Sequence, residues 1–178
     1  MKQLNWATLG CGVIANELAH ALSKEGRTLY SVANRTHEKA VAFAQKYGIS
    51  KVYDNIDDVF YDPDVDIIYI STPHNTHINY LRKALSNGKH VLCEKSITLN
   101  IAELDEAVSL AKENNVILAE AMTIYHMPVY KKLNEIIASG QLGRLNLIQV
   151  NFGSYKDYNM TNLSLIHISE PTRPISIS

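Results

Sequence analysis

Two kinds of apolar pattern alternate along most of this chain. Short apolar runs predict buried strands, and stretches whose apolar residues recur every three or four positions predict helices packed on those strands. The predicted strands cover about residues 4–9, 28–33, 51–53, 66–70, 89–93 and 116–119. The predicted helices begin after Gly12 and then cover about 37–47, 55–60, 75–87, 100–114 and 128–140. This alternation predicts an α/β fold with a doubly wound parallel sheet, whose ligand site lies at the carboxyl ends of the strands.

The pattern changes after Gly143. Residues 144–152 alternate over an unusual length, with Ile148, Val150 and Phe152 on one face, and no helical pattern follows them. We interpret this run as the first strand of a separate, largely antiparallel sheet, in an α+β domain that is truncated here. The expected organisation is a first domain over 1–122, an incomplete second domain over 123–162 and a tail over 163–178.

Composition narrows the class of protein. Of the 178 residues, 46% are hydrophobic and 20% are charged, and the formal net charge is −1. This balance is typical of a soluble globular protein, and it provides no attraction to nucleic acid or to a membrane surface. Two cysteines cannot build a disulfide framework, and the N-terminus has no signal-peptide segment. We therefore expect a cytoplasmic protein with neither a nucleic-acid nor a membrane partner.

The first predicted strand enters the first helix through a glycine turn, Gly10-Cys11-Gly12-Val13-Ile14-Ala15. Two glycines between a strand and a helix let backbone N–H groups approach a pyrophosphate, and the helix dipole adds positive charge there. We therefore predict that Gly10, Gly12, Val13 and Ile14 contact a dinucleotide. The alternative is an ordinary tight turn between a strand and a helix.

The end of the second predicted strand indicates which dinucleotide is bound. An NAD enzyme places an acidic residue near this point to bind the ribose 2′-hydroxyl, but this chain has Asn34 followed by Arg35. Asn34 does not repel a 2′-phosphate and the Arg35 guanidinium can pair with one, so we expect NADP rather than NAD. In the alternative interpretation, Arg35 is a solvated loop residue and Asn34 tolerates both coenzymes.

Polar residues also follow the central strand. We expect Ser71, Thr72 and Pro73 to pass beneath the nicotinamide ribose, with His74 and His77 lining the same cleft. The alternative is that Asn75 or Thr76 caps the next helix and none of these residues contacts a ligand. The two histidines are three residues apart, but no neighbouring cysteine or carboxylate cluster completes a metal site, so we predict none.

The next strand ends in Glu94-Lys95. A lysine buried at the carboxyl end of a parallel strand would be energetically costly without a role, so Lys95 is the candidate catalytic group. Glu94 is assigned to the coenzyme ribose or amide rather than to base catalysis. The alternative is a surface lysine that lies just past a strand.

These motifs occur in the order found in a known family. From residue 3 to about 162 the chain resembles the Gfo/Idh/MocA oxidoreductases. The resemblance rests on the glycine turn and on Ala33-Asn34-Arg35-Thr36, Ser71-Thr72-Pro73-His74-Asn75-Thr76-His77, Gly88-Lys89-His90-Val91-Leu92-Cys93-Glu94-Lys95 and Gly140-Gln141-Leu142-Gly143. The stretches around Met122 and Gly153 are most similar to the branch related to dimeric dihydrodiol dehydrogenase.

The resemblance implies an NAD(P)-dependent dehydrogenase that acts on a sugar, polyol or diol. It implies a Rossmann domain followed by an open-faced sheet, through which the complete protein forms a homo-oligomer. It also implies that Lys95 hydrogen-bonds the reacting hydroxyl and shares in proton transfer, and that Met122 contacts the coenzyme. The family continues Glu-Lys-Pro where this chain has Ser96, which affects the positioning of the lysine.

The tail over 163–178 matches nothing in the family and resembles translated sequencing-adapter DNA. We expect it to be non-native and disordered, and we do not assign His167 as the family's second catalytic group. The expected consequence is a fragment that binds coenzyme but is inactive.

Three other classes of protein stay open. A non-catalytic dinucleotide sensor would keep the glycine turn without needing Lys95. A methyltransferase shares the glycine-containing first turn, although the Glu-Lys and Ser-Thr-Pro motifs speak against it. A structural interaction module is the weakest alternative, because it leaves three motifs at strand ends unexplained.

Overall fold

A computed structural model describes residues 4–151. Six strands form one sheet: β1 (Trp6–Leu9), β2 (Ser31–Ala33), β3 (Lys51–Val52), β4 (Ile67–Ile70), β5 (His90–Cys93) and β6 (Leu118–Glu120). The helices are α1 (Val13–Lys24), α2 (His37–Tyr47), α3 (Asp58–Tyr61), α4 (His77–Ser86), α5 (Ile101–Glu113) and α6 (Pro128–Ala138). Single 3₁₀ turns precede α4 and α6, at His74–Thr76 and Thr123–His126.

The sheet is parallel throughout and has the strand order β3-β2-β1-β4-β5-β6. The order reverses between β1 and β4, where Leu9 pairs with Ile70. This is the order that results when the chain starts at β1 and winds first toward β3 and then toward β6, and loops at the carboxyl ends diverge at such a reversal. The predicted doubly wound fold is confirmed, and the point of reversal marks the place for a ligand.

Both faces of the sheet are buried, which explains the nearly continuous apolar strands. One face packs against α3, α4 and α5, around the fully buried Ile68, Ile70, Phe60 and Leu81. The other face packs against α1 and α2, where the small side chains of Ala15 and Ala19 allow the helix to approach closely. Burial of one large apolar side chain of this kind contributes about 1.5–3 kcal/mol.

The helix ends show why several predicted boundaries are accurate. Helix α2 ends before Gly48, which has the left-handed φ of +67° that terminates many helices. Two side chains cap the start of helix α5: Asn100 Oδ1 accepts from the Glu103 N–H at 2.9 Å, and Glu103 Oε2 accepts from the N–H of Leu99, just before the N-cap residue, at 3.1 Å.

The chain divides into two compact units, Met1–Met122 and Thr123–Ser178. In the second unit, Pro128 occupies the first turn of α6, and the Tyr125 and Tyr130 rings pack edge to face. None of residues 123–151 is buried. Within residues 4–151, no helix is both long and apolar enough to cross a membrane.

The strand predicted over 144–152 is wrong for the part that the structure describes. Residues 144–151 have no strand pairing, and Leu147, Ile148 and Val150 are exposed. A strand needs hydrogen bonds from a neighbour, and alternation of apolar residues supplies none by itself. Phe152, the rest of the second domain and the tail over 163–178 lie outside the described residues.

Candidate functional site

The glycine turn lies at the point where the strand order reverses. Gly10 has a φ of +110°, and a Cβ on it would lie 2.9 Å from both the carbonyl oxygen and Oγ of Ser71. The Ser71 N–H donates to the Leu9 carbonyl at 3.0 Å, and the Gly10 N–H donates to the Ala33 carbonyl at 2.9 Å. The end of β1 is therefore tied to both neighbouring strands, so closely that only glycine fits at position 10.

The N-terminus of α1 has the properties of an anion site. Gly12 is the N-cap residue, no side chain caps the helix, and its first turn contains no acidic residue. A Cβ on Gly12 would meet nothing within 4 Å, while Val13 and Ile14 are exposed beside it. The uncapped N–H groups and the helix dipole therefore face open space, which fits a pyrophosphate.

Asn16 holds this turn in place, and the sequence analysis did not identify it. Its Nδ2 donates to the Gly12 carbonyl at 2.9 Å, and its Oδ1 accepts from Lys46 Nζ and from the Tyr47 hydroxyl, each at 2.8 Å. One side chain thus links the glycine turn to the last turn of α2. The only sequence signal was an amide one turn into a helix.

Cys11 adds no negative charge to the turn. Burial raises its pKa to about 11, and the positive charge of Lys39 opposes this rise. The thiol is therefore neutral at physiological pH. Lys39 lies on α2, and its positive charge favours negative charge at Cys11 in the glycine turn. The sequence analysis missed this residue.

At the end of β2, no carboxylate occupies the position where NAD enzymes place one. Asn34 is half-buried, and its Nδ2 donates to the Thr36 carbonyl at 2.9 Å. Arg35 is exposed, with no hydrogen bond or ion pair to any of the described residues. Its guanidinium is thus available to a ligand at this edge.

Ser71, Thr72 and Pro73 follow β4 as predicted, but the helix-capping alternative does not hold. Thr76 is the N-cap residue of α4, yet no side chain caps that helix. Instead the Thr76 hydroxyl donates to the Pro73 carbonyl at 2.6 Å, and it lies 2.8 Å from the Thr72 hydroxyl. These bonds fix the turn that follows the central strand.

His77 is in a different place from the one predicted. It was expected to line the cleft, but its side chain is fully buried. Nε2 lies 2.8 Å from the Thr72 carbonyl oxygen, and Nδ1 lies 3.0 Å from the Ser96 carbonyl oxygen. Both ring nitrogens therefore face backbone carbonyl oxygens, which only accept hydrogen bonds, and the tautomer decides which nitrogen donates. His77 therefore joins the turn after β4 to the turn after β5 and does not face a ligand.

His74 is half-buried, and its ring meets that of His77 edge to face, with centroids 5.6 Å apart. Because both nitrogens of His77 are directed at carbonyl oxygens, this pair cannot ligate a metal through His77. Residues 4–151 contain no group of three or more His, Cys, Asp or Glu side chains that could hold a metal ion.

Glu94 and Lys95 follow β5 at the same edge of the sheet. The Glu94 N–H donates to the Ile70 carbonyl at 2.9 Å, and its carboxylate accepts a short hydrogen bond from the Tyr69 hydroxyl. Lys95 is exposed, which corrects the expectation of a buried lysine. The strand ends at Cys93, so Lys95 lies two residues beyond the last paired position of β5.

The Lys95–Ser96 peptide bond is cis. The sequence analysis questioned the position of Lys95 because Ser96 replaces the family's proline. The structure provides other restraints at this turn, since His77 contacts the Ser96 carbonyl and the Ile97 N–H donates to Glu120 Oε1 at 2.9 Å. Met122 is half-buried just after β6, at the outer side of the same edge.

A comparison with known protein families identifies the family of this chain. The family model described as "Oxidoreductase family, NAD-binding Rossmann fold", the Gfo/Idh/MocA group, matches residues 4–122. The chain belongs to this family, which confirms the resemblance found in the sequence.

Two of the relatives that the chain resembles are diol dehydrogenases. The chain is 33% identical over 151 residues to trans-1,2-dihydrobenzene-1,2-diol dehydrogenase of Xenopus tropicalis, covering 83% of this chain and 46% of the relative. It is 35% identical over 153 residues to the Mus musculus enzyme of that name, covering 84% and 46%. The chain therefore spans about half the length of these relatives.

Two solved structures share the fold. An NAD binding oxidoreductase from Klebsiella pneumoniae superposes with a TM-score of 0.73 at 27% identity, covering 79% of this chain and 40% of that one. A 3-ketoreductase from Actinomadura kijaniata, in complex with NADP and TDP-benzene, superposes with a TM-score of 0.72 at 26% identity, covering 78% and 43%.

Proposed function

We propose that this chain is the coenzyme-binding part of an NADP-dependent dehydrogenase, which transfers a hydride between the nicotinamide and a hydroxyl carbon of a sugar, polyol or diol. One observation carries the proposal. The uncapped N-terminus of α1 opens beside Gly12 at the same sheet edge where Glu94 and Lys95 leave β5. An anion site and an ammonium group at one edge are what a reaction on a bound dinucleotide requires.

The phosphates of the coenzyme bind at the first turn of α1, where N–H groups lack partners and no acidic side chain repels them. Arg35 pairs with the 2′-phosphate of NADP, and Lys39 adds a second positive charge from α2. The absence of a carboxylate at Asn34 supports NADP over NAD, and the 3-ketoreductase with this fold is an NADP complex.

The nicotinamide ring, when bound, supplies or accepts the hydride. In the direction of reduction the exposed Lys95 ammonium donates a proton from Nζ to the oxygen that becomes the hydroxyl, and in the direction of oxidation the neutral Lys95 amine accepts that proton. Glu94 accepts hydrogen bonds from the coenzyme ribose. Val13 and Ile14 offer an apolar surface beside the glycine turn that shields one face of the ring from water. The diol dehydrogenases among the relatives support a small hydroxylated substrate.

We further propose that the 178-residue chain binds coenzyme without turning over substrate. This proposal is supported by the relatives being about twice as long, with 46% of their length matched here. Incubation with NADP and a panel of sugars, polyols and diols is expected to give no NADPH absorbance. Substrate-dependent NADPH formation would contradict this part alone.

The coenzyme proposal is tested by titrating the purified chain with NADPH and NADH, followed by fluorescence and calorimetry. NADPH is expected to bind more tightly than NADH. Arg35→Gln is expected to weaken NADPH binding about tenfold or more, as for loss of a charge-assisted hydrogen bond, and to leave NADH unchanged. Arg27→Gln, a half-buried arginine at the other end of the strands, is the matched control. The proposal fails if folded protein binds neither coenzyme.

A further inference from the structure

Strand β4 contains one polar side chain in an otherwise apolar sequence. Tyr69 is 3% exposed between Ile68 and Ile70, which are fully buried on the opposite face. Its hydroxyl donates to Oε1 of Glu94, the residue that follows the neighbouring strand β5. A phenylalanine would fill nearly the same space without the cost of burying a hydroxyl, so the hydrogen bond of this hydroxyl must offset that cost.

Strand register brings the two residues together. Ile70 pairs with Cys93, which places Glu94 one residue beyond the last paired position. The Glu94 N–H also donates to the Ile70 carbonyl at 2.9 Å. Both the backbone and the carboxylate of Glu94 are therefore held by β4, immediately before Lys95.

The direction of the hydrogen bond is fixed by chemistry. Burial, followed by the hydrogen bond to Glu94, raises the pKa of Tyr69 above its ordinary value, so the hydroxyl keeps its proton and is the donor. A carboxylate has about four acceptor positions on its two oxygens, and Tyr69 occupies one of them on Oε1. Glu94 is half-buried and has no other described side-chain hydrogen bond within residues 4–151, which leaves Oε2 available.

We propose that Tyr69 is a positioning residue, which orients Glu94 so that its free oxygen accepts hydrogen bonds from the ribose hydroxyls on the nicotinamide side of the coenzyme. The inference rests on the proposed function, because it needs a coenzyme at this edge. Adjacent hydroxyls of a ribose are donors, and a carboxylate with one oxygen already fixed presents the other at a defined angle. Tyr69 thereby sets the nicotinamide half of the coenzyme against Lys95 without touching the ligand.

The test compares binding of the whole coenzyme with binding of its adenine half alone. Affinities for NADPH and for adenosine 2′,5′-bisphosphate, which lacks the nicotinamide ribose, are measured by calorimetry for the full chain and for Tyr69→Phe. We expect Tyr69→Phe to weaken NADPH binding about tenfold, the usual scale for a hydrogen bond to a charged group. Binding of the bisphosphate is expected to stay within about twofold, since the adenine half does not depend on Glu94.

Two further variants test whether Tyr69 acts through Glu94. Glu94→Gln is expected to weaken NADPH binding about as much as Tyr69→Phe, and the double variant no more than either single one, because both changes remove the same interaction. Tyr80→Phe is the matched control: Tyr80 is half-buried on α4, its ring stacks on Phe60, and its hydroxyl makes no described hydrogen bond.

Unchanged NADPH affinity in Tyr69→Phe would overturn the inference and leave the proposed function intact. Equal weakening of both ligands would also overturn it, since that outcome indicates a general loss of structure. If the unmodified chain binds the bisphosphate and NADPH equally tightly, the nicotinamide ribose makes no contact and the inference fails. If it binds neither ligand, the proposed function is wrong, and the inference is then wrong as well because it rests on that function.

Discussion

At the scale of single residues, the two glycines of the first turn have different physical roles. Gly10 has a φ of +110°, and its Cβ position lies 2.9 Å from Ser71 backbone and side-chain oxygens. Gly12 has an ordinary φ of −74°, and its Cβ position meets no protein atom within 4 Å. The first glycine is therefore required by the fold, and the second leaves room for a ligand.

This difference predicts opposite effects of the same substitution. Gly10→Ala is expected to lower the free energy of unfolding by about 2–4 kcal/mol, because it combines an unfavourable φ with a clash against backbone. Gly12→Ala is expected to cost less than about 1 kcal/mol while abolishing NADPH binding, because its methyl group enters the phosphate space. Urea unfolding and NADPH titration measure the two effects. Equal loss of stability in both variants would contradict the assignment.

His77 provides a second prediction at this scale. His77→Leu fills a similar volume but removes the polar ring that contacts both the Thr72 and the Ser96 carbonyls. We expect the free energy of unfolding to fall by about 1–3 kcal/mol, as for buried polar groups that lose a partner. The exposed His20→Leu is the control and is expected to stay within about 0.5 kcal/mol. A His77 variant as stable as the control would show that the two turns do not depend on this side chain.

The glycine turn could be predicted from the sequence, and the role of His77 could not. The two glycines, the apolar run before them and the helical pattern after them are local signals. The partners of His77 lie five and nineteen residues away, in loops that meet only after β4 and β5 pair. The bond between Tyr69 and Glu94 also depends on strand register, although a lone hydroxyl in an apolar strand was a usable signal.

At the scale of elements, hydrogen bonds to the buried Asp62 carboxylate hold the edge strand β3, whose Lys51 side chain is partly exposed. Asp62 Oδ2 accepts from Lys51 Nζ at 2.6 Å and from the Tyr53 hydroxyl at 2.5 Å, and Oδ1 accepts from the Asp64 N–H at 3.0 Å. Burial favours the protonated acid, but these hydrogen bonds outweigh it and hold the pKa of Asp62 below its ordinary value. These hydrogen bonds join β3 to the segment that leads into β4.

The lowered pKa of Asp62 predicts a dependence of stability on pH. A carboxyl group with a lower pKa in the folded than in the unfolded chain stabilises the fold above its unfolded pKa, about 3.9. That contribution is lost as the pH falls through the lower, folded value. The difference in unfolding free energy between the unmodified chain and Asp62→Asn should be constant from about pH 7 to 5 and shrink below about 4.

Urea unfolding at several pH values measures this difference, with Asp105→Asn as the control because Asp105 is exposed and makes no described side-chain bond. We expect Asp62→Asn to cost about 1–3 kcal/mol at neutral pH. A difference that stays the same down to pH 3 would mean that Asp62 is not held ionised by its neighbours.

Element boundaries were predictable where the terminating signal is local. Helix α2 was predicted over 37–47 and is found at His37–Tyr47, because Gly48 ends it in the left-handed conformation. The strand predicted over 144–152 failed because a strand is defined by its neighbours, and alternation alone does not provide them.

At the scale of the whole molecule, every buried core residue within residues 4–151 belongs to the first unit, and no residue of 123–151 is buried. The doubly wound parallel sheet was predictable because right-handed crossovers permit few arrangements of alternating strands and helices. Residues 123–151 are therefore expected to unfold locally more readily than the first unit, since segments with few buried contacts open at low free-energy cost.

Limited proteolysis should reveal this difference. Trypsin is expected to cut first at Lys131, Lys132 or Arg144, because cleavage there needs only local opening of exposed backbone. The product that retains residues 4–122 should persist.

Saturating NADPH should lengthen the lifetime of this product, because binding stabilises its folded state by about 2.7 kcal/mol at one hundred times the dissociation constant. NADPH should not slow the first cuts, which lie outside the coenzyme site. Mass spectrometry of a time course identifies the products, and Arg35→Gln should lose most of the protection at the same NADPH concentration. Early cleavage after Lys24 or Lys112, or equal protection of both units by NADPH, would contradict the assignment of stability and binding to the first unit.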